Sequence, residues 1–333
     1  MKIFSKVVFF VGLLMTIFGV QAQQDPLYSQ YMFNPMILNP AYAGLHEMAM
    51  LTTTGRWQWT GIQGSPTTYA ANFHTSLPVP KMGAGITVSK ESYGITSNTE
   101  VQLALAYHLR FRENKLNFGV TGGFNNYSID FANRGSDVNN ANAHKLLIKS
   151  EDPNLQNVTF RKNAPNFGFG AIYTAKHFFA GVSIPKFIAT EISSENKVTA
   201  IQFLRHYYIT GGYVIKLVSG VVVKPSLLFR VVDKVQNTAG VEGTRVNIDM
   251  NISAYFKEKI WVGASFRKTD RKTLGSVVLM GQVQLNDYLK AGYSFDVPTD
   301  SQLRRAGRLA THEIMLNINF PLLDKQATQE ILY

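Results

Sequence analysis

Histidine is the residue best suited to acid–base or metal chemistry near neutral pH, and the chain has seven: His46, His74, His108, His144, His177, His206 and His312. They are scattered and none sits in a nucleophile motif. The His-Glu-x-x-His spacing of a helical zinc site is absent. His312-Glu313 is the best local pair, but neighbours on a strand point to opposite faces and do not reach one substrate atom. The pair reads instead as rim residues near a membrane interface. A hydrolase needs a nucleophile, a base and an orienting group brought together, and no stretch supplies all three. Asp130, Asp137, Glu151 and Asp152 lack the alternate-residue spacing and fixed glycine of a calcium loop, and they read as part of a solvated loop. Gly119, Gly122, Gly123, Gly168 and Gly170 are followed by no helix that could cradle a phosphate. They fit bending or crowding in a lumen. The reading is a non-enzymatic protein with no cofactor and no metal.

Charge points to surfaces rather than substrates. The formal net charge is +11, and Lys2 and Lys6 account for two of those charges in a segment expected to be removed. The basic residues are scattered, which argues against nucleic acid. Anionic outer-membrane lipid, lipopolysaccharide or an acidic protein partner fits better. Arg304, Arg305 and Arg308 put three arginines in one short stretch, and their guanidinium forks match phosphates or carboxylates. A solvated loop needing charge is an equal reading. Cysteine is absent, excluding a lipid-anchored N-terminus, disulfides and thiolate metal sites.

These residues must be positioned by strands. Met1 to Val20 has a basic start and an apolar run too short to span a bilayer. Val20-Gln21-Ala22 offers a cleavage site, so residues 1–22 read as a signal peptide. Beyond it, apolar residues recur at every second position. Val246, Ile248, Met250, Ile252, Ala254 and Phe256 alternate with Asn247, Asp249, Asn251, Ser253, Tyr255 and Lys257. Leu116, Phe118, Val120, Gly122 and Phe124 do the same. Such segments are strands with two unlike faces, and several reach the length a tilted membrane strand needs.

The joints alternate too. Short ones fall at 77–80, 112–113, 176, 218–219, 258 and 287. Longer, polar ones fall at 58–65, 91–97, 131–163, 186–199, 233–242 and 298–308, with 269–271 a brief exception. Short turns at one end and long loops at the other predict an all-β transmembrane antiparallel barrel of about fourteen strands over 46–320, followed by a tail at 321–333. With both termini periplasmic, the long loops face outward. Arginine is expected to cost more at the lipid-facing Val246, Ile248, Met250 or Ile252 than at luminal Asp249. Pro225 argues back, because a proline inside the ninth strand (220–232) removes a ladder donor.

Residues 23–45 have no strand of their own. Leu27, Tyr28, Tyr31, Met32, Phe33, Met36, Ile37 and Leu38 need burial, while Asn34-Pro35 and Asn39-Pro40 break any regular path. Tyr42 and Gly44 complete the segment, which is predicted to pack in the periplasmic mouth as a plug or docking element. Gln24 to Gly44 resembles the amino-terminal signature of the PorP/SprF family, outer-membrane proteins of the type IX secretion system. Gly55-Arg56-Trp57-Gln58-Trp59 through Ser65-Pro66-Thr67-Thr68 is similar to a second family region, with Ser65 where alanine is usual. Phe179 to Pro185 resembles its mid-barrel strand. Gly292 to Asp296 with His312 to Leu316 resembles its final hairpin.

The resemblance implies work in protein export or surface anchoring. Its implied partners are a periplasmic peptidoglycan-binding lipoprotein of the secretion system or a secreted surface adhesin. Asn34, Pro35, Asn39, Pro40, Tyr42, Gly44, Arg304, Arg305 and Arg308 are the candidate partner-binding residues. Polar positions such as Asn247, Asp249 and Asn251 leave a small-solute channel as the alternative.

Overall fold

The computed structural model describes residues 28–46, 48–62, 64–130, 159–188, 190–193, 199–217, 220–236, 242–256, 259–269, 275–299 and 310–320. Two short 3-10 turns, η1 (Pro35–Ile37) and η2 (Pro40–Tyr42), precede the strands. These are β1 (Ala49–Trp57), β2 (Thr67–Ser76), β3 (Met82–Tyr93), β4 (Thr96–Phe111), β5 (Asn114–Asp130), β6 (Thr159–Thr174) and β7 (Phe178–Ile184). They continue with β8 (Thr190–Ser193), β9 (Thr199–Phe203), β10 (His206–Tyr213), β11 (Ile215–Lys216) and β12 (Val221–Gln236). β13 (Glu242–Phe256), β14 (Ile260–Thr269), β15 (Ser276–Gln284), β16 (Leu289–Pro298) and β17 (Thr311–Phe320) complete the chain.

Each strand pairs antiparallel with its sequence neighbour around the wall, β1 pairs with β17, and β10 pairs with β12 to close the sheet. With β11 continuing β10, fourteen strands enclose the lumen. Closure leaves no free edge in the hydrocarbon, where an unpaired backbone group is costly.

The alternating faces are those expected from the sequence, with the polarity of a soluble protein inverted. Met250 is 45% exposed on the outer face and its neighbour Asp249 2% exposed inside. Phe118, Val120 and Phe124 point outward, while Asn117 and Asn125 are buried. The apolar band is thus offered to lipid and the polar stripe to the lumen.

Two joints and one strand depart most from the sequence reading. The joint expected at 91–97 is a tight hairpin in which Tyr93 pairs with Thr96. Gly94 takes a φ of 55° there, a turn geometry glycine adopts without a steric cost. The single strand expected at 200–217 is divided: Thr199–Phe203 pairs with Thr190–Ser193 in a separate two-stranded sheet, and the wall strand begins at His206. Within 131–163, β5 runs to Asp130 and β6 starts at Thr159, shortening the joint from its far end.

Pro225 is accommodated by a gap. It lies within β12 opposite Ile252 of β13. On the other side, pairing stops at Gly212↔Ser226 and resumes at Ile215↔Val223. The missing donor falls where the neighbouring strand is itself interrupted at Val214, whose amide bonds to the His177 carbonyl instead.

Candidate functional site

Residues 28–45 fill the lumen. The two Asn-Pro steps give this segment its shape: Pro35 and Pro40 each open a 3-10 turn, a position where the absent amide hydrogen is not missed. Asn39 caps η2 by accepting from the Ala41 amide at 3.0 Å, and its Nδ2 donates to the Ala171 and Val182 carbonyls at 3.1 and 3.3 Å. Asn34 donates to Asn72 Oδ1 at 2.8 Å. Tyr42 is buried in an apolar cluster with Met36, Ala104 and Ile172. Gly44, at φ 70°, donates its amide to His74 Nδ1 at 3.2 Å. Asn34, Asn39, Pro40, Tyr42 and Gly44 are therefore all buried against the barrel wall.

The wall is cut back to receive the segment. A Cβ on Gly119 would overlap the Pro40 carbonyl carbon and the Ala41 amide, and one on Gly170 would overlap Asn39 Oδ1. Lumen crowding, expected for these two glycines, is their role. His108 Nε2 lies 3.0 Å from the Ala43 carbonyl and donates to it in the Nε2–H tautomer.

The other end of the segment is bolted by charge. Glu313, fully buried, accepts the Ser29 and Gln30 amides at 2.8 Å each, one on each carboxylate oxygen. Arg56 bridges Glu313 and Asp296 at 3.0 Å each and donates to Ser29 Oγ at 2.6 Å. Ser29 Oγ in turn donates to Asp296. Arg267 pairs with Asp249 at 3.1 Å and Asp296 at 3.5 Å, and its Nη2 donates to the Tyr28 carbonyl at 3.3 Å. Asn251 donates to the Tyr31 hydroxyl at 2.7 Å.

Arg56, Glu313, Asp296 and Arg267 lie toward the long-loop ends of their strands. His74, His108 and Gly119 lie toward the short-turn ends. The segment thus reaches through the barrel interior instead of resting in one mouth, a correction to the expected position. The reason is electrostatic: carboxylates and guanidiniums carried on a luminal stripe need partners, and backbone amides from residues 29–30 complete the set. Glu313 is accordingly a luminal bolt and not a rim residue. His312 does face outward, with the Tyr293 hydroxyl 2.7 Å from its Nδ1.

Sequence reasoning missed this network. Its signal was present: Arg56, Asp249, Arg267, Asp296 and Glu313 all occupy the polar phase of period-two strands. Which acid meets which base depends on strand adjacency. Between the segment and β3–β4 lies a small cavity of about 40 Å³, lined by Tyr28, Leu38, Glu91, Asn98, Glu100 and Lys186 among others. Lys186 bonds Glu100 there at 2.8 Å. Among the described residues no three His, Asp or Glu side chains converge to hold a metal. Arg304, Arg305 and Arg308, the expected leader at 1–22 and the tail at 321–333 lie outside the described residues.

The sequence pattern of the family described as type IX secretion system membrane protein PorP/SprF matches residues 20–318, spanning the luminal segment and nearly the whole barrel. The chain belongs to that family. As a PorP/SprF protein it is an outer-membrane component of the type IX secretion system. No curated protein matches it.

Solved barrels are similar at low identity. The Acinetobacter baumannii outer membrane protein Omp33 is 10% identical, with a TM-score of 0.44 over 83% of this chain and 100% of that one. A Pseudomonas aeruginosa FadL homologue is 10% identical, with a TM-score of 0.48 over 92% and 99%. The barrel reading for this PorP/SprF chain rests on its own closed strand ladder.

Proposed function

We propose that this PorP/SprF protein is a plugged, non-enzymatic barrel that supports export or surface anchoring of secreted proteins through protein–protein contacts. The observation that carries the reading is the luminal segment bonded to the wall at both its ends. Such a fixture suits a rigid platform better than an open solute pore. In this reading the short turns face the periplasm, where a peptidoglycan-binding lipoprotein of the system docks at the mouth around Ala43–Leu45. The long-loop end faces outward, toward a secreted adhesin or, through Arg304, Arg305 and Arg308, toward lipopolysaccharide phosphates. Asn34, Pro35, Asn39, Pro40, Tyr42 and Gly44 serve the partner indirectly, by fixing the course and exit of the chain.

The test is affinity purification from native membranes, comparing the wild type with an Asn39→Ala, Pro40→Ala, Tyr42→Ala variant. Secretion partners should leave with the wild type, and should be lost from the variant while its barrel level holds. A barrel level that falls in parallel with secretion would make the segment purely structural. Normal partner recovery and normal secretion by the variant would remove both roles.

A further inference from the structure

The outer face carries a groove of about 440 Å³ where the first and last strands meet. Its floor is made of small side chains, Thr53 and Gly55 on β1 and Ala71 on β2. Its walls are Ile314 and Leu316 on β17 and Tyr69 and Val88 on the other side. Register explains the shape: Thr53 lies between Leu316 and Ala71, and Gly55 between Ile314 and Tyr69. Two rows of large residues therefore flank a column of small ones. The Trp57 indole leans over Gly55 and meets Tyr69 edge to face at 6.0 Å, closing the long-loop end.

One cation lines this groove. Lys90 is exposed on the outer face of β3, opposite Tyr69 on one side and Thr99 on the other. None of the ion pairs among the described residues includes it. Its height is informative. On β4 the outward residues pass from Leu105, Leu103 and Val101 to Thr99 and Ser97, so Lys90 stands at the upper edge of the apolar band. Trp57 and Tyr69 are at about the same level, where interface aromatics gather.

We infer that this groove binds one phosphate-headed lipid, its acyl chain lying on Thr53, Gly55 and Ala71 and its phosphate at Lys90. The groove opens onto hydrocarbon, so a chain is the natural occupant of its apolar length. A positive charge at its headgroup end selects an anionic head. The inference rests on the membrane placement of the barrel and is independent of its role in secretion.

The experiment is native mass spectrometry of the full barrel in detergent, titrated with phosphatidylglycerol or with diacylglycerol of the same chains. One phosphatidylglycerol should be retained preferentially. Lys90→Gln should lower its retention about fivefold, the effect of one basic residue at a lipid surface, and leave diacylglycerol unchanged. Ala71→Leu, which fills the floor, should reduce both lipids, with heat-modifiable migration confirming that the barrel assembles. Unchanged phosphatidylglycerol retention in Lys90→Gln, or unchanged retention of both lipids in Ala71→Leu, would overturn the site. So would displacement of the lipid by inorganic phosphate alone, which would make the anion and not the chain the thing recognised. A Thr53→Cys barrel that forms a disulfide-linked dimer in native membranes and retains no lipid would assign the groove to a second copy instead.

Discussion

Glu313 and Arg56 show how much a single luminal position can carry. Each is buried, each is charged, and each touches both the wall and the luminal segment. Removing one partner of a buried pair leaves the other charge uncompensated, at a cost of about 3–5 kcal/mol. Arg56→Met strands the Glu313 carboxylate and should lower unfolding stability in denaturant by roughly that amount, whereas Glu313→Leu leaves Arg56 paired with Asp296 and should cost less. The double variant should lose less than the two together, because the Glu313 charge is then no longer stranded. Strict additivity would mean that the two side chains are not coupled. A second residue-scale expectation concerns Gly119. Gly119→Val places a side chain where Pro40 and Ala41 lie, so it should expel the segment without unpairing β5. Protease cleavage within residues 28–45 of the assembled variant, absent from the wild type, is the readout.

At the scale of the strand, alternation sets the consequences of mutation, and luminal chemistry modifies them. Met250→Arg on the lipid face of β13 should cost about 2–4 kcal/mol. The milder outcome expected for arginine at Asp249 does not follow from this structure. Asp249 is paired with Arg267 at 3.1 Å, so an arginine there would oppose another arginine. Gln102 is the better control: it lines the small luminal cavity with Glu91 and Glu100, which would receive the new charge. Gln102→Arg should be tolerated in refolding assays under which Met250→Arg fails; equal losses would sink the facing assignment. The joints supply a topological check. An epitope within 131–158 should be accessible on intact cells, and one at 112–113 only after the outer membrane is breached. Labelling of 112–113 in unbroken cells would reverse the proposed orientation.

For the whole molecule, the luminal segment decides between a platform and a channel. Pure wild-type protein in a planar bilayer should show no steady conductance. Deleting residues 28–45 should produce one, because the polar stripe of Asn117, Asn125, Asn247 and Asn317 would then line open water. A wild-type barrel that conducts as freely as the deletion would favour the small-solute reading. Closure itself has a structural basis in the β10–β12 link. Both its strands depart from regularity, β10 at Val214 and β12 at Pro225, and the two departures coincide.

The sequence by itself determined the membrane-strand period, the sorting of most joints, the strand number and the need to bury residues 28–45. It did so because each is a local property. Side-chain phase is set by the two-residue repeat of a strand, and turn chemistry by a few adjacent residues. The Asn-Pro steps likewise announced an irregular path. The brevity of the 91–97 joint was less legible, since Ser92 and Tyr93 read equally well as loop or strand. Only the tertiary structure decided where the segment lies, because its position depends on Glu313, Asp296 and Arg56 meeting across β16, β17 and β1. Those residues are more than two hundred positions apart in part, and nothing in their local sequence states that the last strand closes on the first. The groove beside Lys90 has the same origin. Thr53, Ala71 and Leu316 are unremarkable in their own strands, and form a recess only when barrel closure sets them side by side.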